Sequence, residues 1–359
     1  MKLLESKELS GLTLKNRMVM APMTRSRADL NGVVGKSTIV YYTQRASAGL
    51  IITEAINISK QAQGSPLTPG LYTKEQIDAW KEVTKSVHDA GGTIYAQLWH
   101  TGRVGHSNVK NGELPVAPST IAIEGQQHFT LEGMKDYEVP RALSIDEIKH
   151  IIQDYKQAAL NAIEAGFDGI ELHSAFGYLP DEFLSTSANQ RDDEYGGSIE
   201  NRNRFVLEIM REMISAIGPN KVGIKLSPTN TYNSIFHENP LEQFTVLIKE
   251  LNTLPLSYIH LMNIPQPADK FPHYPQNTID TFGSMSTHPI IANCGYTKET
   301  GEAELQKGIA TLVSYGSLFL SNPDLPKRFE LNAELNQVDP STMFGGQDAG
   351  YIDYPFLQP

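Results

Sequence analysis

Cysteine is almost missing from this chain: Cys294 is the single one in 359 residues. That excludes an internal disulfide and any metal centre built from several thiolates. It suits a reducing compartment, so a cytoplasmic location is expected. Basic charge is also scarce. Acidic residues outnumber Lys and Arg by 41 to 30, and the net charge is -11. With no Lys/Arg cluster to track a phosphate backbone, nucleic acid is not expected as a partner, and neither is an anionic membrane. No apolar run reaches the roughly 18 residues that would suggest a bilayer span. The opening M-K-L-L-E-S-K-E-L-S has no apolar core of the signal-peptide kind, so none is expected. The histidines show no H-E-x-x-H spacing, which disfavours a metal role. There is no G-x-G for a Rossmann dinucleotide turn and no G-x-S-x-G for a hydrolase elbow. Internal repeats and low-complexity tracts are absent too.

What the chain does have is enough apolar content, 40 %, for a large core. The length alone allows two domains or one large barrel. The pattern chooses between them. Short apolar runs predict strands at Met18–Met23, Leu50–Ala55, Thr93–Trp99, Asp168–His173, Lys221–Leu226, Ser257–Met262, Pro289–Asn293 and Thr311–Tyr315. Longer amphipathic stretches between them predict helices at Thr73–Ala90, Ser144–Ala165, Ile199–Ile217, Pro240–Leu251 and Lys298–Lys307. Ser144 with Glu147 has the spacing of a capping box. The sixth connection, Pro265–Gly283, is Pro-rich and is expected to be mostly loop. Strands alternating with helices predict a single-domain α/β fold over residues 1–359, a (β/α)8 TIM barrel. The insertion at 105–142, after the third strand, predicts a β-hairpin lid. The aromatic tail at 340–359 is expected to pack back onto the barrel.

In such barrels chemistry gathers at the carboxyl ends of the strands. Those ends carry Ala21, Pro22, Met23 and Thr24; Ala55; Gln97 and Trp99; His173; Lys225; Cys294 and Gly295; and Gly316 and Ser317. Each residue alone has an ordinary structural role. Together they put hydrogen-bonding groups and a cation on one mouth, beside glycines whose N–H groups suit a phosphate. Such a set suits a planar heteroaromatic ring that gains negative charge on reduction.

The stretch D-G-I-E-L-H-S-A-F-G-Y-L-P-D-E-F-L, with the later N-Q-R-D-D-E-Y-G-G-S, strongly resembles the old yellow enzyme family of FMN-dependent ene-reductases. So do L-K-N-R-M-V-M-A-P-M-T-R-S-R-A, A-Q-L-W-H-T-G-R, L-S-P, S-N-P-D-L and G-Y-I-D-Y-P-F-L, and the likeness covers nearly the whole chain. The resemblance implies a TIM barrel that binds FMN and takes electrons from NADH or NADPH. The substrate would be an enone or a similar activated C=C bond. Hydride would come from flavin N5, and Tyr178 would supply the proton. His173 would hold the substrate carbonyl, with Phe176, Trp99, Ser65 and Tyr351 as further substrate contacts. Ala21, Pro22, Met23, Thr24, Ala55, Gln97, Lys225, Cys294, Gly295, Gly316 and Ser317 would surround the flavin. No metal is implied, and the assembly would be a monomer or homodimer.

Five positions depart from the family pattern. Phe176 stands where the family has Asn or a second His, and Lys225 where it has Arg beside the flavin. Ser317 stands where it has the phosphate Arg, and Cys294 where it has Gly. Ser65 stands where many members have Tyr. These departures raise an alternative: a member that binds FMN weakly, with altered or lost reductase activity. A more distant alternative is a non-flavin lyase or aldolase with Lys225 as a Schiff-base amine.

Overall fold

The computed structural model describes residues 1–267 and 269–358. Ala268, in the predicted sixth loop, and Pro359, in the tail, lie outside the described residues. Eight parallel strands close a barrel: β1 (Met18–Met20), β2 (Leu50–Asn57), β3 (Ile94–Trp99), β4 (Gly169–Ser174), β5 (Val222–Leu226), β6 (Ile259–Met262), β7 (Ile290–Asn293) and β8 (Leu312–Tyr315). Each pairs with its sequence neighbours, and β8 pairs with β1 to complete the ring. Every predicted strand is present; seven lose residues at one end, β4 gains one at its other end and β2 gains two. The strands read as unbroken apolar runs because both of their faces are covered; all eight residues of β2 are buried.

The main helices that follow the strands are α1 (Lys36–Gln44), α2 (Lys74–Asp89), α3 (Ile145–Glu164), α4 (Ile199–Ile217), α5 (Pro240–Leu251), α6 (Thr278–Phe282), α7 (Lys298–Lys307) and α8 (Leu325–Leu331), with the shorter helices Leu179–Leu184 and Ser317–Ser321 just after the ends of the fourth and eighth strands. Six of them, α2 to α7, start on a side-chain cap. Thr73 with Gln76 forms a capping box on α2, and Ser144 with Glu147 forms one on α3. Each apolar stripe then lies against the sheet, as with Trp80 and Val83 of α2 and Ile148, Ile152 and Tyr155 of α3. The sixth connection holds little more than the short α6, consistent with its prolines.

The amino-terminal end of the barrel is plugged. Lys7–Leu9 and Leu12–Leu14 form an antiparallel ribbon. Its Leu9 and Leu14 pack with Val19, Leu50, Ile52, Tyr95, Tyr258, Ile291 and Leu312. The rings of Tyr95 and Tyr258 lie 5.9 Å apart and need space that only glycine leaves on the strands facing them. A Cβ at Gly169 would sit 2.5 Å from the Tyr95 ring, and one at Gly223 would sit 2.5 Å from the Tyr258 ring. With that end sealed, access is from the carboxyl end.

Two additions stand over that open end. Within 105–142, Gln127–Thr130 and Gly133–Asp136 form an antiparallel hairpin, and Val116–Ala117 pairs with Arg141–Ala142. The tail returns beside β1. Arg25 donates to Met343 and Gly350 carbonyls, and Arg27 to those of Gln347, Thr342 and Ala349. Among the described residues no helix is long and apolar enough to cross a membrane.

Gly223→Ala should lower unfolding stability by about 1–3 kcal/mol through overpacking against Tyr258. Urea denaturation measures this; a midpoint equal to that of the parent would contradict the plug as described.

Candidate active site

Pro22 lacks an N–H and ends β1, turning the chain over the mouth. On β2 the register with β3 shifts between Ile52 and Ala55, and Ala55 then lies opposite Gln97. The Oγ1 of Thr53 occupies the slack by accepting from the Gln97 N–H at 3.2 Å. Such bulges re-aim side chains near a site. On β4, Glu171 and His173 are two residues apart and so share a face. Glu171 pairs with Gln97 of β3, and His173 with Lys225 of β5.

Glu171 has no exposed surface. One carboxylate oxygen accepts from Gln97 Nε2 at 2.7 Å, and the other is 2.8 Å from His260 Nδ1. His260 Nε2 lies 2.8 Å from Ser314 Oγ, which also accepts from Asn293 Nδ2 at 2.7 Å. The chain of bonds therefore joins β3, β4, β6, β7 and β8. Burial alone would raise the Glu171 pKa, but His260, Lys225 and Gln97 overcome it and hold the carboxyl below its ordinary value. Lys225, 4 % exposed, has its pKa lowered by burial, partly offset by Glu171. No hydrogen bond fixes its ammonium among the described residues.

Above this network sit three aromatic rings. His173 lies 6.1 Å from Trp99 and 4.8 Å edge-on from Tyr178, and Trp99 is 4.8 Å edge-on from Tyr178. His173 Nδ1 and Trp99 Nε1 are buried without a hydrogen-bond partner. Burial, then the Lys225 and His260 charges, holds the His173 pKa well below the ordinary imidazole value. Burial, then Tyr137 and Tyr232, raises that of Tyr178, so its hydroxyl keeps its proton at any working pH. Tyr178 owes its place to the turn before it. Phe176 and Gly177 both have left-handed backbones, with φ of 60° and 77°. Ser227 Oγ accepts from the Phe176 N–H at 2.9 Å, and Asn233 donates to its carbonyl at 2.8 Å. Gly177 is required, since a Cβ there would meet Ile235 at 2.7 Å.

Two cavities open at the mouth. One, of about 280 Å³, is lined by Ala21, Pro22, Met23, Phe176, Lys225, Cys294, Gly295, Gly316 and Ser317, among others. The other, of about 610 Å³, is lined by Thr24, Ser65, Trp99 and Tyr178 together with the hairpin and the tail. Ala55, Gln97 and His173 are buried residues at these strand ends and line neither. One predicted contact is not brought to the mouth. Tyr351 is fully buried, stacked 4.2 Å from Tyr41, with Arg25 and Arg27 over its ring. Phe344 of the same tail lines the larger cavity instead. Sequence reading also passed over Glu171 and His260. Their signal was a charged or polar residue inside the apolar runs D-G-I-E-L-H and S-Y-I-H-L-M.

Comparison with known proteins agrees with the barrel fold. Residues 3–336 match the model of the NADH:flavin oxidoreductase / NADH oxidase family. A protein described as putative 12-oxophytodienoate reductase 2, from Oryza sativa subsp. japonica, is 43 % identical over 365 residues, covering 99 % of this chain and 94 % of its own. The structure of morphinone reductase is 42 % identical with a TM-score of 0.94, covering 99 % of this chain and 96 % of that one. The old yellow enzyme homologue from Zymomonas mobilis is 39 % identical with a TM-score of 0.94, covering 99 % and 100 %.

A neutral His173 has a consequence for stability. Its folded pKa lies below the unfolded value of about 6.5, so below that pH the unfolded chain binds a proton that the folded chain refuses. Its contribution is present above about pH 6.5 and is lost as pH falls, approaching about 1.4 kcal/mol per pH unit. Glu54 and Glu182, pushed by burial up to about 7 and about 8, slope the other way, so the readout is a difference between proteins. Urea titrations from pH 7.5 to 5.5 should show a shallower acid loss in His173→Asn than in the parent; equal slopes would contradict a neutral His173.

Proposed function

The chain belongs to the NADH:flavin oxidoreductase / NADH oxidase family, and from that premise we propose how it works as an FMN-dependent ene-reductase, with NADH or NADPH as reductant. The relatives named for 12-oxophytodienoate and morphinone point to activated C=C bonds, enones above all, as the substrates. The observation that carries the reading is the Trp99–His173–Tyr178 cluster, set between a cavity with an unpaired buried lysine and a larger, mostly apolar one.

The residues fit FMN. Lys225 offers a buried ammonium with no hydrogen bond of its own, suited to a ring that becomes anionic. The Gly295 N–H makes no hydrogen bond within the described protein, and a Cβ built on that residue meets nothing within 4 Å. The first N–H groups of the helix Ser317–Ser321 are free as at any helix start. Lys225, Gly295, Gly316 and Ser317 would hold the cofactor, with Pro22, Met23, Thr24, Ala55 and Gln97 around it. When bound, FMN supplies a two-electron carrier that passes hydride between the nicotinamide and the alkene.

The chain's own part is anchoring and protonation. A neutral imidazole with an unpaired nitrogen donates to the substrate carbonyl and draws electron density from the β-carbon. Tyr178, protonated and in contact with His173, gives its proton to the α-carbon. Trp99 sets the wall behind both. Phe176 adds no second donor at the carbonyl, so His173 acts as the lone anchor. An enone that lacks the second donor loses up to about 2.7–4 kcal/mol of barrier lowering.

Ser317 supplies no guanidinium to the phosphate, which removes a charge-assisted contact of about 1.5–3 kcal/mol. Ser317→Arg should therefore tighten FMN by roughly tenfold to a hundredfold, read by quenching of flavin fluorescence. An unchanged affinity would remove Ser317 from the phosphate site. The function itself is tested anaerobically: NADH or NADPH should bleach the FMN-loaded protein, and 2-cyclohexenone should restore its colour. A protein that stays bleached is not an ene-reductase.

A further inference from the structure

The larger cavity has an unusual wall. Its hairpin buries His128 and Thr130 and leaves Phe129, Leu131 and Met134 exposed, by 56 %, 62 % and 54 %. That is the reverse of the polar-out, apolar-in alternation of a hairpin facing water. Phe344 of the tail, 62 % exposed, joins them on the same cavity. These side chains, from the lid and the tail, converge on the space beside Tyr178. At about 610 Å³ it is the size that encloses a drug-sized ligand, and a single-ring enone would leave much of it unfilled.

The same wall carries no Lys, Arg, Asp or Glu side chain. His128 is held neutral by burial, and its Nε2 is taken by the Gly64 carbonyl at 2.7 Å. Arg27 ties down the tail next to the cavity, but its guanidinium nitrogens are all engaged by main-chain carbonyls. The chain as a whole, at -11, repels anions. A carboxylate entering this cavity would lose water and meet no cation, only neutral hydroxyl and amide donors such as Tyr232 and Gln127.

From this we infer that the cavity selects uncharged substrates in which the enone carries a long alkyl chain or fused apolar rings, and discriminates against the corresponding carboxylates. Phe129, Leu131, Met134 and Phe344 are the specificity-determining residues. This rests on the reductase reading for the place of the enone, against His173 and Tyr178, while the character of the wall stands independently of turnover.

The test uses the FMN-loaded protein and phenols, whose hydroxyl stands in for the substrate oxygen. Isothermal titration calorimetry compares 4-alkylphenols of increasing length with 4-hydroxyphenyl alkanoates of matched length. Affinity should rise roughly fourfold per added methylene, and each carboxylate should bind at least about tenfold more weakly than its alkyl partner. Phe344→Ala should flatten the dependence on length, and Met134→Lys should restore binding of the carboxylates. Affinity independent of chain length, or carboxylates that bind as well as alkyl compounds, would overturn the inference. Turnover of a 2-cyclohexenone that carries an alkyl chain is measured on the same preparation. Its absence alongside an intact length dependence would refute the reductase reading and leave the ligand class standing.

Discussion

A carboxylate at the centre of the barrel organises the mouth. Glu171 has no exposed surface, and its two oxygens are bound by Gln97 and His260. Hydrogen bonds to a charged group contribute about 1.5–3 kcal/mol each, and stripping one partner from a buried ion costs more than the bond itself. The carboxylate therefore fixes the side chains at the ends of β3 and β6, and through Ser314 and Asn293 those of β8 and β7. It also supplies a counter-charge that offsets part of the burial penalty on the Lys225 ammonium. Because that attraction acts without a hydrogen bond, the ammonium remains available to a ligand. Every proposed flavin contact stands on or beside a strand that this network braces.

Much of this was legible in the sequence. Parallel strands covered on both faces must be apolar throughout, so eight short apolar runs were sufficient to predict the barrel. Helix starts were equally plain where a cap has a fixed spacing, as at Ser144 and Glu147. Strand ends drifted by a few residues, most at β1, because the proline after Ala21 stops the ladder while the apolar pattern continues through Met23.

The tail shows where reading a sequence stops. Phe344 and Tyr351 are aromatic residues in one short segment, and nothing local distinguishes them. Tyr351 is claimed by Tyr41 and two arginines that arrive from β1 and α1, over three hundred residues away, and that leaves Phe344 for the cavity. Phe176 poses a related problem. The family resemblance flags it as a departure, yet its left-handed backbone, a conformation that suits Asn far better than a bulky ring, is visible only in three dimensions. Ser227 and Asn233 hold both of its main-chain polar groups and so keep the ring on the smaller cavity.

The proposed mechanism divides the work at Tyr178: the flavin site would accept electrons without it, and the alkene would not be finished without it. Anaerobic stopped-flow spectroscopy of Tyr178→Phe separates the two halves. Reduction of the bound flavin by NADH or NADPH should keep the parent's rate, while its reoxidation by 2-cyclohexenone should slow by about 10²–10⁴-fold, the usual contribution of a positioned acid. A variant whose reoxidation is as fast as the parent's, or whose two half-reactions slow equally, would contradict the assignment of Tyr178 as the proton donor.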